Sequence, residues 1–195
     1  MPTQQIIDRI RRALSLDQAA FEEIRDDAAF TPFVAGLAAA AVLLAGLGSW
    51  LFGETVLNFT PDGWFVDTFI LGSVFTILLF MAGVGVTYVV ITQVYREAMA
   101  PDAYVRIAAL GYLPFALGLL VLIPEIGFGF GILSIAAMFF YTVFGLRAAY
   151  PAIEPLHIVV AVLLGFAVWG MILPLIGEPP NNNFATGVFV FGLFA

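Results

Sequence analysis

The sequence predicts an all-α integral membrane protein with five spanning helices, an N-terminus in the cytoplasm and a C-terminus outside. Of the 195 residues, 62% are hydrophobic and 11% are charged, whereas ordinary soluble domains are roughly 45–50% apolar and about 25% charged. Charged residues divide the chain into five long uncharged stretches, and all seven basic residues fall in segments that a five-helix topology places on one side. The excess of apolar surface must therefore face lipid.

Each uncharged stretch has the length of a membrane span. A helix that crosses the hydrocarbon core needs about 20 residues, and only helices satisfy their own backbone in lipid without closing on other strands. No stretch alternates between apolar and polar residues, so a helical bundle follows. The stretches hold 26, 28, 18, 21 and 23 residues and lie, in chain order, between Asp27 and Glu54, Asp67 and Arg96, Arg106 and Glu125, Glu125 and Arg147, and Glu154 and Glu178.

Proline positions mark the boundaries of these helices. Pro101 suits the first turn of the third span, where its missing N–H costs nothing. Pro114 lies inside that span and predicts a kink. Pro151 and Pro155 bracket the turn before the fifth span, and Pro174 should bend or end it.

The arginines predict the direction of insertion. Basic residues near membrane ends mark the cytoplasmic side, and the opposite loops and the C-terminal tail contain neither Lys nor Arg. We therefore predict an inside N-terminus and an outside C-terminus. The arginines are Arg9, Arg11, Arg12 and Arg25 before the first span, Arg96 and Arg106 around the second link, and Arg147 between the last two spans.

Residues 1–29 are predicted to form a cytoplasmic amphipathic arm that lies at the membrane surface, with Asp17 as the N-cap of its second helix. We expect Arg9, Arg11 and Arg12 to contact anionic headgroups or a cytosolic partner. The five-span domain covers 30–177. The arm's apolar side consists of Ile6, Ile7, Ile10, Leu14, Phe21 and Ile24, at helical spacing.

Residues 178–195 are predicted to form an apolar extracytoplasmic tail. The last twelve of them would reach about 18 Å as a helix, too short for a sixth span. They could re-enter the membrane partway, lie along the outer surface or dock on a partner.

Composition excludes several function classes. A net charge of −7 argues against nucleic acid, and the absence of Cys removes thiolate chemistry and Cys-based metal sites. His157 alone is more simply a polar residue at headgroup level than a haem or pigment ligand. No catalytic triad, paired carboxylates or phosphate-binding loop is present. We therefore expect a protein that is not an enzyme and holds no metal or cofactor.

The middle of the chain contains three short segments in this order: Gly111-Tyr112-Leu113-Pro114, Ile123-Pro124-Glu125-Ile126-Gly127 and Tyr141-Thr142-Val143-Phe144-Gly145-Leu146. They are similar to the Gly-Tyr-x-Pro, Ile-Pro-x-Ile-Gly and Tyr-x-x-x-Gly-Leu motifs of the Yip-one domain family, the Ypt/Rab-interacting membrane proteins. The chain resembles the bacterial branch of that family, and the arm also looks like the family's amphipathic lead-in.

The resemblance implies a membrane-integral, non-enzymatic protein of the bacterial inner membrane. Eukaryotic members bind small Rab GTPases, but this chain lacks their Asp-Leu-Tyr-Gly-Pro signature and has only a short arm, which argues against such a partner. The family-motif positions carried over are Gly111, Tyr112, Pro114, Pro124, Gly127 and Gly145.

Three functions remain open from the sequence. The first is a Yip-type scaffold that binds lipid and other membrane proteins or itself, with Gly127-x-x-x-Gly131 as a possible association face. The second is an accessory subunit of a respiratory or photosynthetic complex. The third is a small permease or channel, which the uncharged helix centres disfavour. A continuous water-filled path lined by Ser73, Thr76, Thr87 and Ser134 would contradict the scaffold.

Overall fold

The computed structural model describes residues 3–57 and 62–176. Every regular element in these ranges is helical, which confirms the all-α prediction. The predicted tail at 178–195 lies outside the described residues. Five helices are long and apolar enough to cross a membrane, as predicted: Ala28–Val56, Phe65–Val94, Pro101–Leu122, Gly127–Ala149 and Pro155–Ile172.

The arm contains two helices, α1 (Thr3–Leu14) and α2 (Gln18–Asp26). Leu16 takes a positive φ of 61° in the sharp turn between them. Asp17 caps α2, because its carboxylate accepts a 3.0 Å hydrogen bond from the backbone N–H of Ala19. The predicted N-cap is therefore confirmed.

The spanning helices follow the arm without a separate linker domain. A single 3₁₀ turn, Ala28–Phe30, leads into the first of them. The second has wider, π-helical turns at both ends, Phe65–Leu71 and Val90–Val94. The α-helical parts are α3 (Thr31–Phe52), α4 (Gly72–Val89), α5 (Pro101–Gly111), α6 (Gly127–Ala149) and α7 (Pro155–Ile176).

The third span changes its winding near Pro114. Its α-helical part ends at Gly111, and Leu113–Leu122 continues as a 3₁₀ helix. A 3₁₀ helix rises about 2.0 Å per residue against about 1.5 Å for an α-helix, so these residues gain about 5 Å of reach. The extra length suits the shortest uncharged stretch of the chain.

The third span lies at the centre of the bundle. Of its most apolar window, 56% is buried, against 28–33% in the other four spans. Its 3₁₀ part packs against α3 and α6, while α4 packs along α7. Gly83 and Gly165 allow that second contact, since a Cβ on Gly83 would lie 2.9 Å from the carbonyl oxygen of Gly165.

One end of the bundle gathers the arm, the α4–α5 link and the α6–α7 turn. Arg106, in the middle of α5, bonds to the end of α2, and His157, near the start of α7, reaches Glu97 in the link. All the predicted inner segments thus share one end. The direction of insertion itself stays a prediction.

Candidate functional site

The apolar face of α2 packs against the bundle. Phe21 is 1% exposed and Ile24 is fully buried, so both face protein where the sequence alone predicted the membrane interface. The Phe21 ring meets Phe144 of α6 edge to face, with centroids 5.7 Å apart. Gly145 makes this approach possible, because a Cβ there would lie 2.9 Å from the Phe21 ring.

Arg106 joins the arm to the third span. Its side chain is almost fully buried, and its Nε donates to the carbonyl of Ile24 at 3.1 Å. One Nη donates to the carbonyl of Arg25 at 2.5 Å, and the other to Thr31 Oγ1 and Asp102, both at 3.1 Å. The two carbonyls belong to the last turn of α2, where α-helical donors are missing; the Ile24 carbonyl also accepts a long, 3.4 Å hydrogen bond from the Asp27 N–H. A cation at this end also complements the helix dipole.

Arg25 ties the same end of α2 to the end of α6. It donates to the carbonyl of Ala149, pairs with Asp26 at 2.7 Å and lies 5.7 Å from the centre of the Tyr150 ring. The hydrogen bond from Arg25 lowers the pKa of Asp26, and burial raises the pKa of Tyr150 to about 12. Two arginines from different elements therefore hold one helix terminus.

Two of the three arginines predicted to contact headgroups or a partner are paired inside the arm. Arg9 contacts Asp27 at 2.5 Å, and Arg12 contacts Asp17 at 2.7 Å and Glu23 at 2.9 Å. The hydrogen bond from Arg12 lowers the pKa of Asp17. Arg11 is exposed.

The exposed charges of the arm are mainly acidic. Asp8, Glu22, Glu23 and Asp26 are exposed, whereas Arg11 is the one exposed base among the described arm residues. Anionic headgroups attract basic segments, so the exposed charges of the arm are mainly of the sign that such headgroups repel.

His157 has neighbours that its sequence position did not reveal. Its Nδ1 lies 3.4 Å from Glu97, its Nε2 lies 3.3 Å from Glu154, and its ring stacks on Tyr95 with centroids 3.9 Å apart. The residue links α7 to the α4–α5 link. Across the described residues, His, Asp and Glu form no group of three or more that could hold a metal ion.

The family-motif positions do not assemble into one site. Gly111 lies against Thr142 of α6, since an added Cβ would overlap the threonine hydroxyl oxygen. Gly127 packs on Val121 in the same way, so the start of the predicted association face is used within the chain. Gly145 lies under the arm. Tyr112 is buried, Pro114 is the second residue of the 3₁₀ part and Pro124 is exposed in the opposite turn.

The four hydroxyl residues considered for a polar path are all buried in the bundle. The Thr87 hydroxyl oxygen lies 3.0 Å from the carbonyl oxygen of Gly83 and 3.2 Å from that of Ala161, so either carbonyl can accept its hydrogen bond. The Ser134 hydroxyl donates to the carbonyl of Gly131 at 2.7 Å. Ser73 and Thr76 are likewise buried. The cavity between α4, α5 and α7 beside Thr87 has a volume of only 10 Å³, which is about the space of one water.

Sequence reasoning missed the central role of Arg106. The available signal was its position one helical turn after Asp102, which predicts a local ion pair, but its carbonyl partners lie about 80 residues away. Comparisons with family models, curated proteins and solved structures found no match to this chain. The functional proposal therefore depends on the contacts between the arm and the bundle.

Proposed function

We propose that this chain is a non-enzymatic, membrane-integral scaffold of the Yip type that presents its docked N-terminal arm to a protein partner. The observation that carries the proposal is the attachment of the arm. The buried guanidinium of Arg106 and the buried ring of Phe21 hold α2 in one position on the bundle. A fixed helix presents its outer side chains in a constant arrangement, which lowers the entropy cost of binding.

The charge of that outer face suggests the class of partner. Glu22, Glu23 and Asp26 are exposed on α2. Glu23 and Asp26 also pair with Arg12 and Arg25, but the arm still has six acidic against four basic side chains. Complementary charges raise the rate and specificity of association. A partner with a basic surface at the same end of the bundle fits this face. Self-association through the same acidic face is disfavoured, because like charges would meet.

The bundle interior supports scaffolding over transport. The four hydroxyl residues that a polar path would need are buried, and the cavity beside Thr87 has space for about one water. The described parts of the five spans also contain no Asp, Glu, Lys, Arg or His near their centres. Ion-coupled transporters usually place such groups there.

Site-specific photocrosslinking in native membranes tests the proposal. A photoreactive residue at position 23 samples the acidic face, and one at position 81, where Met81 is 62% exposed on α4, samples the lipid-facing surface. We expect a discrete protein adduct at position 23 that weakens in an Arg106→Met background, and lipid adducts at position 81. Lipid adducts alone at both positions would contradict the proposal, as would substrate flux through the protein in proteoliposomes.

A further inference from the structure

A crevice lies beside the arm, between α2, the end of α6 and the α6–α7 turn. Its volume is about 330 Å³. Gln18 and Glu22 of α2 form one wall, and Phe140, Phe144 and Arg147 of α6 form the other. Small-molecule sites begin at about 300 Å³, so the crevice has room for a lipid headgroup and its glycerol region.

The position of α2 gives this crevice a polar end and an apolar end. The arm follows the last turns of α6: the Tyr141 hydroxyl donates to the carbonyl of Leu14, and Arg25 donates to the carbonyl of Ala149. Phe140 lies about 10 Å deeper along the helix axis than Arg147. The crevice therefore has the same change in polarity as the membrane interface.

Neither charged side chain of the crevice forms a hydrogen bond or an ion pair in the described part of the chain, although Glu22 lies close enough to Arg25 to contribute to the raised pKa of Arg25. Hydrogen bonds occupy Arg25 and Arg106, whereas none of those found reaches Arg147, which is exposed. Glu22 is also exposed and outside every ion pair found. The crevice thus combines the cation of Arg147 and the anion of Glu22 with the apolar rings of Phe140 and Phe144, and both charged groups are available to bind a ligand.

We propose that this crevice binds a phospholipid with an ethanolamine-type headgroup. Arg147 holds the phosphodiester, because a guanidinium can give a phosphate two parallel hydrogen bonds. Glu22 accepts from the primary ammonium, which carries three N–H donors. Phe140 and Phe144 contact the glycerol and the upper part of one acyl chain. A choline headgroup has no N–H for Glu22, and a glycerol headgroup has no cation.

Native mass spectrometry of the full chain in a mild detergent tests this site. The probes are short-chain phosphatidylethanolamine, phosphatidylcholine and phosphatidylglycerol, which differ only in the headgroup. We expect phosphatidylethanolamine to bind about tenfold more tightly than the other two, the equivalent of one good charge-assisted hydrogen bond. Inorganic phosphate should compete poorly.

Three variants separate the roles of the charges. Arg147→Gln should weaken all three lipids about tenfold, and Arg147→Lys should restore part of the loss. Glu22→Gln, at an exposed position, should abolish the preference for phosphatidylethanolamine. Arg96→Gln is the matched control and should change nothing, because Arg96 is exposed in the α4–α5 link, outside the arm and the crevice.

Several outcomes would overturn the assignment. Equal or tighter binding of phosphatidylglycerol, unaffected by Glu22→Gln, would indicate plain attraction of an anion. Effective competition by inorganic phosphate would indicate a free-phosphate site. Unchanged binding in Arg147→Gln would remove the crevice from the explanation. None of these results bears on the crosslinking test of the scaffold, since that test reads a protein adduct at position 23.

Discussion

Replacing Arg106 by Met should release the arm while the five spans stay folded. The substitution removes the hydrogen bonds to the carbonyls of Ile24 and Arg25 and to Thr31 and Asp102. Each bond to a charged group contributes about 1.5–3 kcal/mol, but burying the guanidinium offsets part of the sum. Removing one partner of a buried ion pair typically costs about 3–5 kcal/mol, because a buried charge is left unpaired. We expect the lower end, about 3 kcal/mol, because Asp102 is exposed and the Ile24 carbonyl keeps the hydrogen bond from the Asp27 N–H.

Amide hydrogen exchange in nanodiscs measures this loss directly. A docking free energy lowered by about 3 kcal/mol corresponds to about a hundredfold faster exchange. The effect should be confined to α2, Gln18–Asp26, because docked elements open locally without global unfolding. The amides of α6, Gly127–Ala149, should keep their protection.

Asp102→Asn provides the matched control. The Asp102 side chain is 65% exposed, so solvent screens its ion pair with Arg106, and the pair should contribute little to arm docking. Exchange in α2 should then rise about fivefold or less. The reasoning is refuted if Arg106→Met leaves α2 protection near wild type, or if every span loses protection to the same degree.

Further substitutions test the close approaches and the N-cap. Gly145→Val should cost about 1–3 kcal/mol of arm docking, because its Cβ meets the buried Phe21 ring; α2 exchange reads the loss. Gly165→Val should lower the thermal midpoint in detergent, since its Cβ meets backbone of α4, while Gly85→Val, with open space around it, should be neutral. The pKa of Asp17 is lowered in the folded state by its hydrogen bond from Arg12. The stabilisation of α2 by the Asp17 carboxylate is therefore fully present above the unfolded pKa of 3.8 and is lost as the pH falls through the folded pKa. The protection factors of α2, corrected for the intrinsic pH dependence of amide exchange, should therefore fall on acidification, and Asp17→Asn should flatten that dependence.

In the third span, the local sequence pattern predicted where the helix begins but not how it winds. Its uncharged length and Pro101 predicted a helix that begins at the observed residue. Pro114 predicted a kink, but the structure has a change to 3₁₀ winding over Leu113–Leu122. Proline disfavours α-helical winding at the preceding residue; how the chain then continues depends on α3 and α6, which pack on both sides.

In the arm, the sequence predicted the apolar face of α2 but not the surface against which that face packs. The spacing of Phe21 and Ile24 predicted an apolar helix face, and that face exists. Its partner could not be predicted, because lipid and protein both accept apolar side chains. The same holds for Arg106, whose position predicted an inner flank but whose burial depends on carbonyls far away in the chain.

The sequence by itself determined the number of spans, their approximate ends, the shared side of the seven arginines and the cap at Asp17. These features depend on local composition, since a charge cannot enter the hydrocarbon core without a large cost. Only the tertiary structure decided that the arm docks on the bundle, that Arg106 holds it and that Arg147 faces a crevice. Those features depend on pairs of residues far apart in the chain, and the chemistry of one partner does not indicate where the other will lie.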